Sequence, residues 1–535
     1  MKYCIQFLLL FLPVCLFAQE RSTDNFGVIV EINEKDMIGL LHRLEHESVL
    51  NNIKYRWITQ DNSVALIESG DDKNLFKWCL QQPEILSSSY NGILTPRIRP
   101  NDKRLAEQYY LNHIKAFDTW NYITGGTTFG GEDIVIGVID NGFDIQHEDL
   151  KENIFTNSKE IPDNKKDDDG NGYIDDYNGW NQNKKNGNHD LRSHGTNILG
   201  VLGAKGNNST GIAGVNWNVK LLPVTTGDRI SDIIEALDYF ISMKKLYRQT
   251  NGSKGANIVV TSYSGGAPYL FAEDYPAWCG MYDKLGKEGI LSVGATTNEP
   301  DNVEEVGDLP STCTSPYLII VNASNKNDEM EASTGFGYKS VDISAPGDHI
   351  LTTDLQSNNY YSTSTGTSLA TPMVAGAAAL LYALPCQTFS DLIKEKPQEA
   401  PLVIRDAILN GVDKKASMTG KTVTEGRLNI LNALNILTGK YCDETLTPVG
   451  TITIKDIKKE GSQLSVRYQA PENATLSFHL YDMLGKEVLN IETNTSQTRD
   501  NLIHLPFNTS QYAHGVYILS VVSGKNVISK QFMLY

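Results

Sequence analysis

At 535 residues the chain is too long for one ordinary hydrophobic core, so several domains are expected. A hydrophobic share of 40% and a charged share of 21% are those of a soluble globular protein. The formal net charge is −17 and no basic block occurs anywhere. That excludes nucleic acid as a partner, because phosphate recognition needs clustered Lys and Arg.

Residues 1–18 read as an export signal. Lys2 is followed by an almost wholly apolar run, Ile5 to Phe17, and Ala18 offers a small residue for cleavage. The run is short for a bilayer span, and no later stretch does better. Cys15 offers a lipoprotein alternative, against which Val14 is bulkier than that processing accepts. Export permits disulfides. Of the 7 cysteines, Cys4 and Cys15 lie in the signal and Cys79 in a segment expected to be removed. Cys279, Cys313, Cys386 and Cys442 remain and allow three pairings. The pairing of neighbours, Cys279 with Cys313 and Cys386 with Cys442, is one hypothesis among these.

Residues 19–100 carry two strand-like runs, Gly27–Ile32 and Ser63–Ile67, around a helical run near Met37–Leu50 with apolar Ile38, Leu41, Leu44 and Val49. A small α+β unit is predicted, ending in the Pro-rich, basic linker Thr95–Asp102, an easy place to cut. Residues 101–440 alternate unbroken apolar runs, such as Ile134–Ile139, Ile258–Val260 and Tyr317–Val321, with helical ones, such as Ile230–Lys245 and Thr371–Ala383. Strands apolar on both faces predict a mostly parallel sheet covered by helices, an α/β domain. Residues 449–535 alternate with period two, as in Gln463–Tyr468, and predict a small all-β sandwich.

Three segments of the middle domain carry chemistry. The apolar run Ile134–Ile139 ends in Asp140, and Asn141-Gly142 turns the chain; sites in parallel sheets form at such carboxyl ends. Taken alone, Asp140 could equally begin a turn or cap a helix. Ser193-His194-Gly195-Thr196-Asn197 opens a helix rich in small residues, which allow the close packing a rigid site requires. Gly366-Thr367-Ser368-Leu369-Ala370-Thr371-Pro372 runs into an apolar, Ala-rich helix. Pro372 suits a first helical turn, so Ser368 is placed at a helix N-terminus, where free N–H groups favour an adjacent oxyanion.

The order Asp, His, Ser is that of subtilisin. Val138–Gly142, His194-Gly195-Thr196 and Gly366–Pro372 together resemble the signature segments of the subtilisin-like serine proteases, with support from His147–Leu150, Gly211–Val215 and Ser344–Gly347. The resemblance covers roughly residues 101–440. It implies a serine endopeptidase made as a zymogen, in which Ser368 attacks the peptide carbonyl, His194 moves the proton and Asp140 orients His194. It further implies Asn298 as an oxyanion donor, although Thr297 departs from the family's usual Gly. The substrate-binding strand is expected at Ser262-Tyr263-Ser264-Gly265, and Asn197 stands where a second His is common. The region 19–100 is implied to be a propeptide that inhibits its own enzyme. An inactive binding protein and an acyl or peptidyl transferase are the alternatives on the same site.

Asp167–Asp176 is dense in oxygen ligands and follows the opening of a calcium loop, with Asp167, Asp169, Asn171, Tyr173 and Asp175 as ligands. Its twelfth position is Asn178, where such loops carry Glu. The expected cofactor is structural Ca2+. His42-Arg43-Leu44-Glu45-His46 matches an inverted zinc-protease signature, but it precedes the cuttable linker on an amphipathic helix and reads as a solvent face. Finally, Leu480–Val488, Gly515–Leu519 and Lys530 resemble the sorting domain of type IX secretion. That implies partnership with outer-membrane secretion machinery, and a secreted or cell-surface protein.

Overall fold

The computed structural model describes residues 27–32, 34–45, 53–59, 61–69, 71–91 and 98–442. In the C-terminal part it describes 446, 452–460, 463–470, 475–482, 486–494, 500–506, 512, 514–523 and 526–534. The signal expected at 1–18, with Cys4 and Cys15, and the linker's start at Thr95–Arg97 lie outside these residues. The chain divides into two compact units, Met1–Thr95 and Pro96–Tyr535.

The first unit runs β1 (Val28–Ile32), α1 (Glu34–Glu45), β2 (Lys54–Trp57), β3 (Val64–Glu68), α2 (Asp72–Cys79) and β4 (Ile85–Tyr90). Its sheet is antiparallel in the order β2-β3-β1-β4, a split β-α-β arrangement. Helix α1 turns Met37, Leu40 and Leu44 onto Val28, Val30, Ala65 and Ile67. Ile38, expected on that face, is 76% exposed: one residue along a helix rotates the side chain by about 100°. His42 lies on the exposed face of α1, and His46 falls outside the described residues.

The second unit opens with short helices α3 (Tyr109–His113) and α4 (Ala116–Thr119). Then follow β5 (Val135–Asp140), β6 (Trp180–Asn181), α5 (Ser193–Gly203), β7 (Lys220–Thr225), α6 (Ile230–Gln249) and β8 (Ile258–Tyr263). Next come β9 (Ala267–Pro268), α7 (Pro276–Lys287), β10 (Leu291–Ala295), α8 (Val303–Val306), β11 (Asp308–Leu309), β12 (Leu318–Ser324) and β13 (Ile343–Pro346). A hairpin of β14 (Ile350–Thr353) and β15 (Tyr361–Ser364) leads into α9 (Thr367–Leu381). Helices α10 (Gln387–Glu395) and α11 (Ala400–Asn410), strands β16 (Asp413–Lys414) and β17 (Gly426–Arg427), and α12 (Ile430–Tyr441) complete it.

Nine of these strands form one sheet in the order β16-β17-β13-β12-β10-β8-β5-β7-β6, parallel throughout except for β16. Helices cover both faces, as the unbroken apolar strands predict. Alternation along β5 assigns its side chains: Val135 and Ile139 join the core under α6 and α7, while Ile136 and Val138 join the core under α5 and α9. By the same period of two, Asp140 turns to the face of α5 and α9. All fifteen residues of α9 are buried. It approaches α5 closely at Gly376, where a Cβ would stand 3.2 Å from the Leu202 carbonyl oxygen. Disulfides join Cys279 to Cys313 and Cys386 to Cys442, the pairing of neighbours; Cys79 is buried and, among the described residues, free.

The C-terminal strands form two antiparallel sheets around one core. The three-stranded sheet comprises Thr453–Glu460, Gln463–Gln469 and Asp500–Leu505. The four-stranded sheet comprises Thr475–Asp482, Glu487–Asn494, Gly515–Ser523 and Asn526–Leu534. Leu464, Val466 and Tyr468 from the first sheet meet Leu476, Phe478 and Leu480 from the second, each set spaced by two. No described helix is long and apolar enough to cross a membrane.

Candidate active site

Asp140 is the last residue of β5 and is 7% exposed. Its carboxylate accepts the Asn141 backbone N–H at 2.7 Å, so the turn after the strand holds it in place. His194, second residue of α5, presents Nδ1 to both Asp140 oxygens at 2.9 and 2.8 Å. A carboxylate there requires the proton on Nδ1 and leaves Nε2 as the basic nitrogen. Burial disfavours the imidazolium, but the hydrogen bond and charge of Asp140 outweigh it, and His194 is held above the ordinary histidine range. The next turn of α5 is anchored by Asn197, which donates to the Thr353 carbonyl at 2.6 Å.

Ser368 is 8% exposed and is the second residue of α9, behind an N-cap at Gly366. Pro372 lies in the second turn of α9, not the first as the sequence suggested. It has no N–H to give the carbonyl four residues back, which is that of Ser368. Ser264 supplies the missing donor: its hydroxyl reaches the Ser368 carbonyl at 3.0 Å. In return the Ser368 hydroxyl donates to the Ser264 carbonyl at 3.1 Å, and not to His194. Strand register pairs Tyr263 with Ile139, so Ser264 follows where Asp140 ends the neighbouring strand. The sheet therefore brings Asp140, with His194, and Ser264, with Ser368, to one carboxyl end.

The Ser368 N–H, in the first turn of α9, has no acceptor within the helix. Beside it, Asn298 Oδ1 accepts the backbone N–H and the hydroxyl of Thr367, both at 2.9 Å. The Thr367 N–H can only donate, so it fixes the amide with Oδ1 toward α9, and among the described residues none accepts from Nδ2. The single Thr367 hydroxyl proton is shared between Asn298 Oδ1 and the Thr296 carbonyl, which lies nearer at 2.7 Å, tying the Asn298 loop to α9. The Thr297 N–H donates at 3.1 Å to Asp308, a buried carboxyl pushed up to about 7 by its burial. Sequence reasoning did not single out Asp308.

Residues 131–422 match the subtilase family. The chain belongs to that family. Residues 461–535 match the secretion system C-terminal sorting domain. Over 359 residues the chain is 30% identical to Subtilisin-like protease 1 of Plasmodium berghei, covering 62% of this chain and 54% of that protein. It thus spans about half that relative's length. Over 433 residues it is 27% identical to the Extracellular protease of Xanthomonas campestris pv. campestris, covering 72% and 70% respectively. The crystal structure of the Epidermin leader peptide processing serine protease from Staphylococcus aureus matches with a TM-score of 0.47 at 19% identity, over 77% of this chain and 99% of that one.

The four residues expected to bind substrate differ in their backbone pairing. Ser262 and Tyr263 are paired on both sides, with β5 and β10, and Ser262 is fully buried. Their backbones are therefore not at an edge; Ser264 and Gly265 lie beyond the ladder.

The acidic loop also differs from expectation. Asp167 spends its carboxylate on the N–H groups of Gly170, Asn171 and Gly172. Asp175 turns away to the N–H groups of Asn164 and Lys165. Tyr173 donates its N–H to the Asn171 side chain, whose amide in turn donates to Asp169 and Asp176. Of the five expected ligands, only Asp169 offers its carboxylate to the cluster that forms, with Glu160 and Asp176, all buried and within 4.8 Å of one another. Glu160 was invisible to a loop signature because it precedes the loop and is folded onto it by the N–H groups of Asp168 and Asp169. Burial raises all three carboxyls, Asp176 to about 7. Glu160 Oε2 is buried with no partner among the described residues. A hard cation with oxygen ligands fits this donor set.

Proposed function

We propose that the chain is a secreted serine endopeptidase working through Asp140, His194 and Ser368. The observation that carries this reading is the Asp140–His194 pair at one sheet end with Ser368 held beside it through Ser264. On substrate binding the Ser368 hydroxyl swings from the Ser264 carbonyl to His194 Nε2, which takes its proton as Oγ attacks the peptide carbonyl. The Asn298 amide and the Ser368 N–H receive the developing oxyanion. The imidazolium, stabilised by Asp140, protonates the departing amine and leaves an acyl-enzyme. Water, deprotonated by His194, then releases the acid and restores Ser368.

Residues 19–100 act as an inhibitory propeptide, and 101–440 form the mature catalytic domain. Residues 1–18 direct export across the inner membrane, and residues 449–535 direct passage across the bacterial outer membrane through the secretion machinery. Glu160, Asp169 and Asp176 hold a structural Ca2+, whose charge offsets three adjacent carboxylates. Wild-type protein should hydrolyse casein, and Ser368→Ala should remove about 10^6-fold of turnover. Casein cleavage that survives Ser368→Ala would falsify the triad. Products showing transfer to an added amine in place of water would favour the transferase alternative.

A further inference from the structure

Asp308 is 1% exposed, and among the described residues no Lys, Arg or His forms an ion pair with it. Burying a carboxylate without a countercharge is costly. One oxygen, Oδ2, accepts the Thr297 N–H at 3.1 Å and the Ser311 hydroxyl. The other, Oδ1, lies toward Gly266: a Cβ built on Gly266 would stand 3.7 Å from Oδ1 and 2.5 Å from the Leu309 carbonyl oxygen. Gly266 must lack a side chain for β9 and β11 to approach, and that ladder pairs Asp308 with Pro268. Asp308 thus joins two segments, Ser264–Gly266 and Thr296–Asn298, and each of these is bonded to α9 at Thr367 or Ser368.

This arrangement bears on the substrate, and the inference rests on the endopeptidase reading above. If the attacked carbon meets Ser368 Oγ and its oxygen meets Asn298, the side chain borne by that residue starts two bonds away. It must then enter between these same two segments, and Asp308 closes the space between them. We propose that Asp308 makes the enzyme select lysine or arginine on the acyl side of the cleaved bond. The cationic end of such a side chain would meet Oδ1 in a charge-assisted hydrogen bond and supply the missing countercharge.

The test uses full-length protein after maturation and peptides differing only in that residue: Lys, Arg, norleucine or Glu. Norleucine keeps the length of lysine without its charge. We expect kcat/KM for Lys or Arg to exceed that for norleucine by about 30-fold or more, with Glu the poorest. In Asp308→Asn the ratio should fall toward unity. Equal rates for Lys and norleucine in the wild type would overturn the proposal even if the variant failed to fold. So would a uniform loss in Asp308→Asn with the ratio kept, since Asp308 would then only hold the Asn298 loop. Cleavage of none of the peptides by wild-type protein that also leaves casein intact would sink the endopeptidase reading itself.

Discussion

Asp140 and Asp176 are both buried carboxylates, at 7% and 0% exposure, in the same domain. Asp140 faces an imidazole, and the pair shares a proton-bearing hydrogen bond. Asp176 faces Asp169 and Glu160, and its non-acidic contacts, Asn157, Asn171 and Tyr239, are neutral donors. What each carboxyl can do depends on the group it faces. Next to a base, the acid orients a proton acceptor. Asp176 has no base to orient; burial pushes it toward neutrality, the charges of Asp169 and Glu160 add to that, and a cation would reverse it.

The catalytic half of this comparison should break most visibly at Asp140. Asp140→Asn replaces a carboxylate that can only accept by an amide whose N–H can donate to Nδ1 and hold the wrong His194 tautomer, and kcat should fall about 10^4-fold. The residual activity should also show its acidic limb at lower pH. In the wild type, neutral His194 is the working form, so activity is lost as pH falls through a value above 6.5. Without Asp140 only burial remains, and burial lowers that value. A pH–rate profile of kcat/KM for both proteins reads this out, and an unmoved limb would show that Asp140 does not control the imidazole.

Asn298→Ala should cost about 100- to 1000-fold in kcat with little change in KM, because its amide meets charge that exists only in the transition state. Steady-state kinetics on one peptide separate that result from a binding role, which would move KM instead.

The acidic half should respond in stability. Chelation should lower Tm by about 5 °C, and Glu160→Gln should shrink that loss. The sign with pH follows from the raised carboxyls. Unfolded, they titrate near 3.8 and 4.5, whereas folded Asp176 titrates near 7. Cation-free protein therefore loses stability as pH rises through that window, when buried carboxyls must ionise. Protein with Ca2+ bound gains from the same ionisation. The Tm gap between calcium-loaded and chelated samples should widen from pH 5 to pH 8; a constant gap in thermal melts would remove the metal from this cluster.

Local pattern carried most of what could be read in advance. The unbroken apolar runs announced a parallel sheet, and period-two alternation announced the C-terminal sandwich. Asp140, His194 and Ser368 stood out because strand ends and helix starts are encoded within a few residues of themselves. Ser264 was expected in a substrate-binding segment, yet its bond to the Ser368 carbonyl was not foreseen and follows from Pro372 sitting one turn deeper than expected. Ile38 shows the same limit on a smaller scale, since a helix face is settled by what it packs against.

By itself, the order of residues along the chain determined which side chains could do chemistry and the type of element bearing each one. Only the tertiary structure decided which carboxylates meet. It set Asp140 against His194, folded Glu160 onto Asp169 and Asp176, and left Asp308 between two segments that touch α9. Such meetings depend on contacts between residues far apart in sequence, and charge interactions that fall off over a few ångströms register them only once the fold has closed those distances.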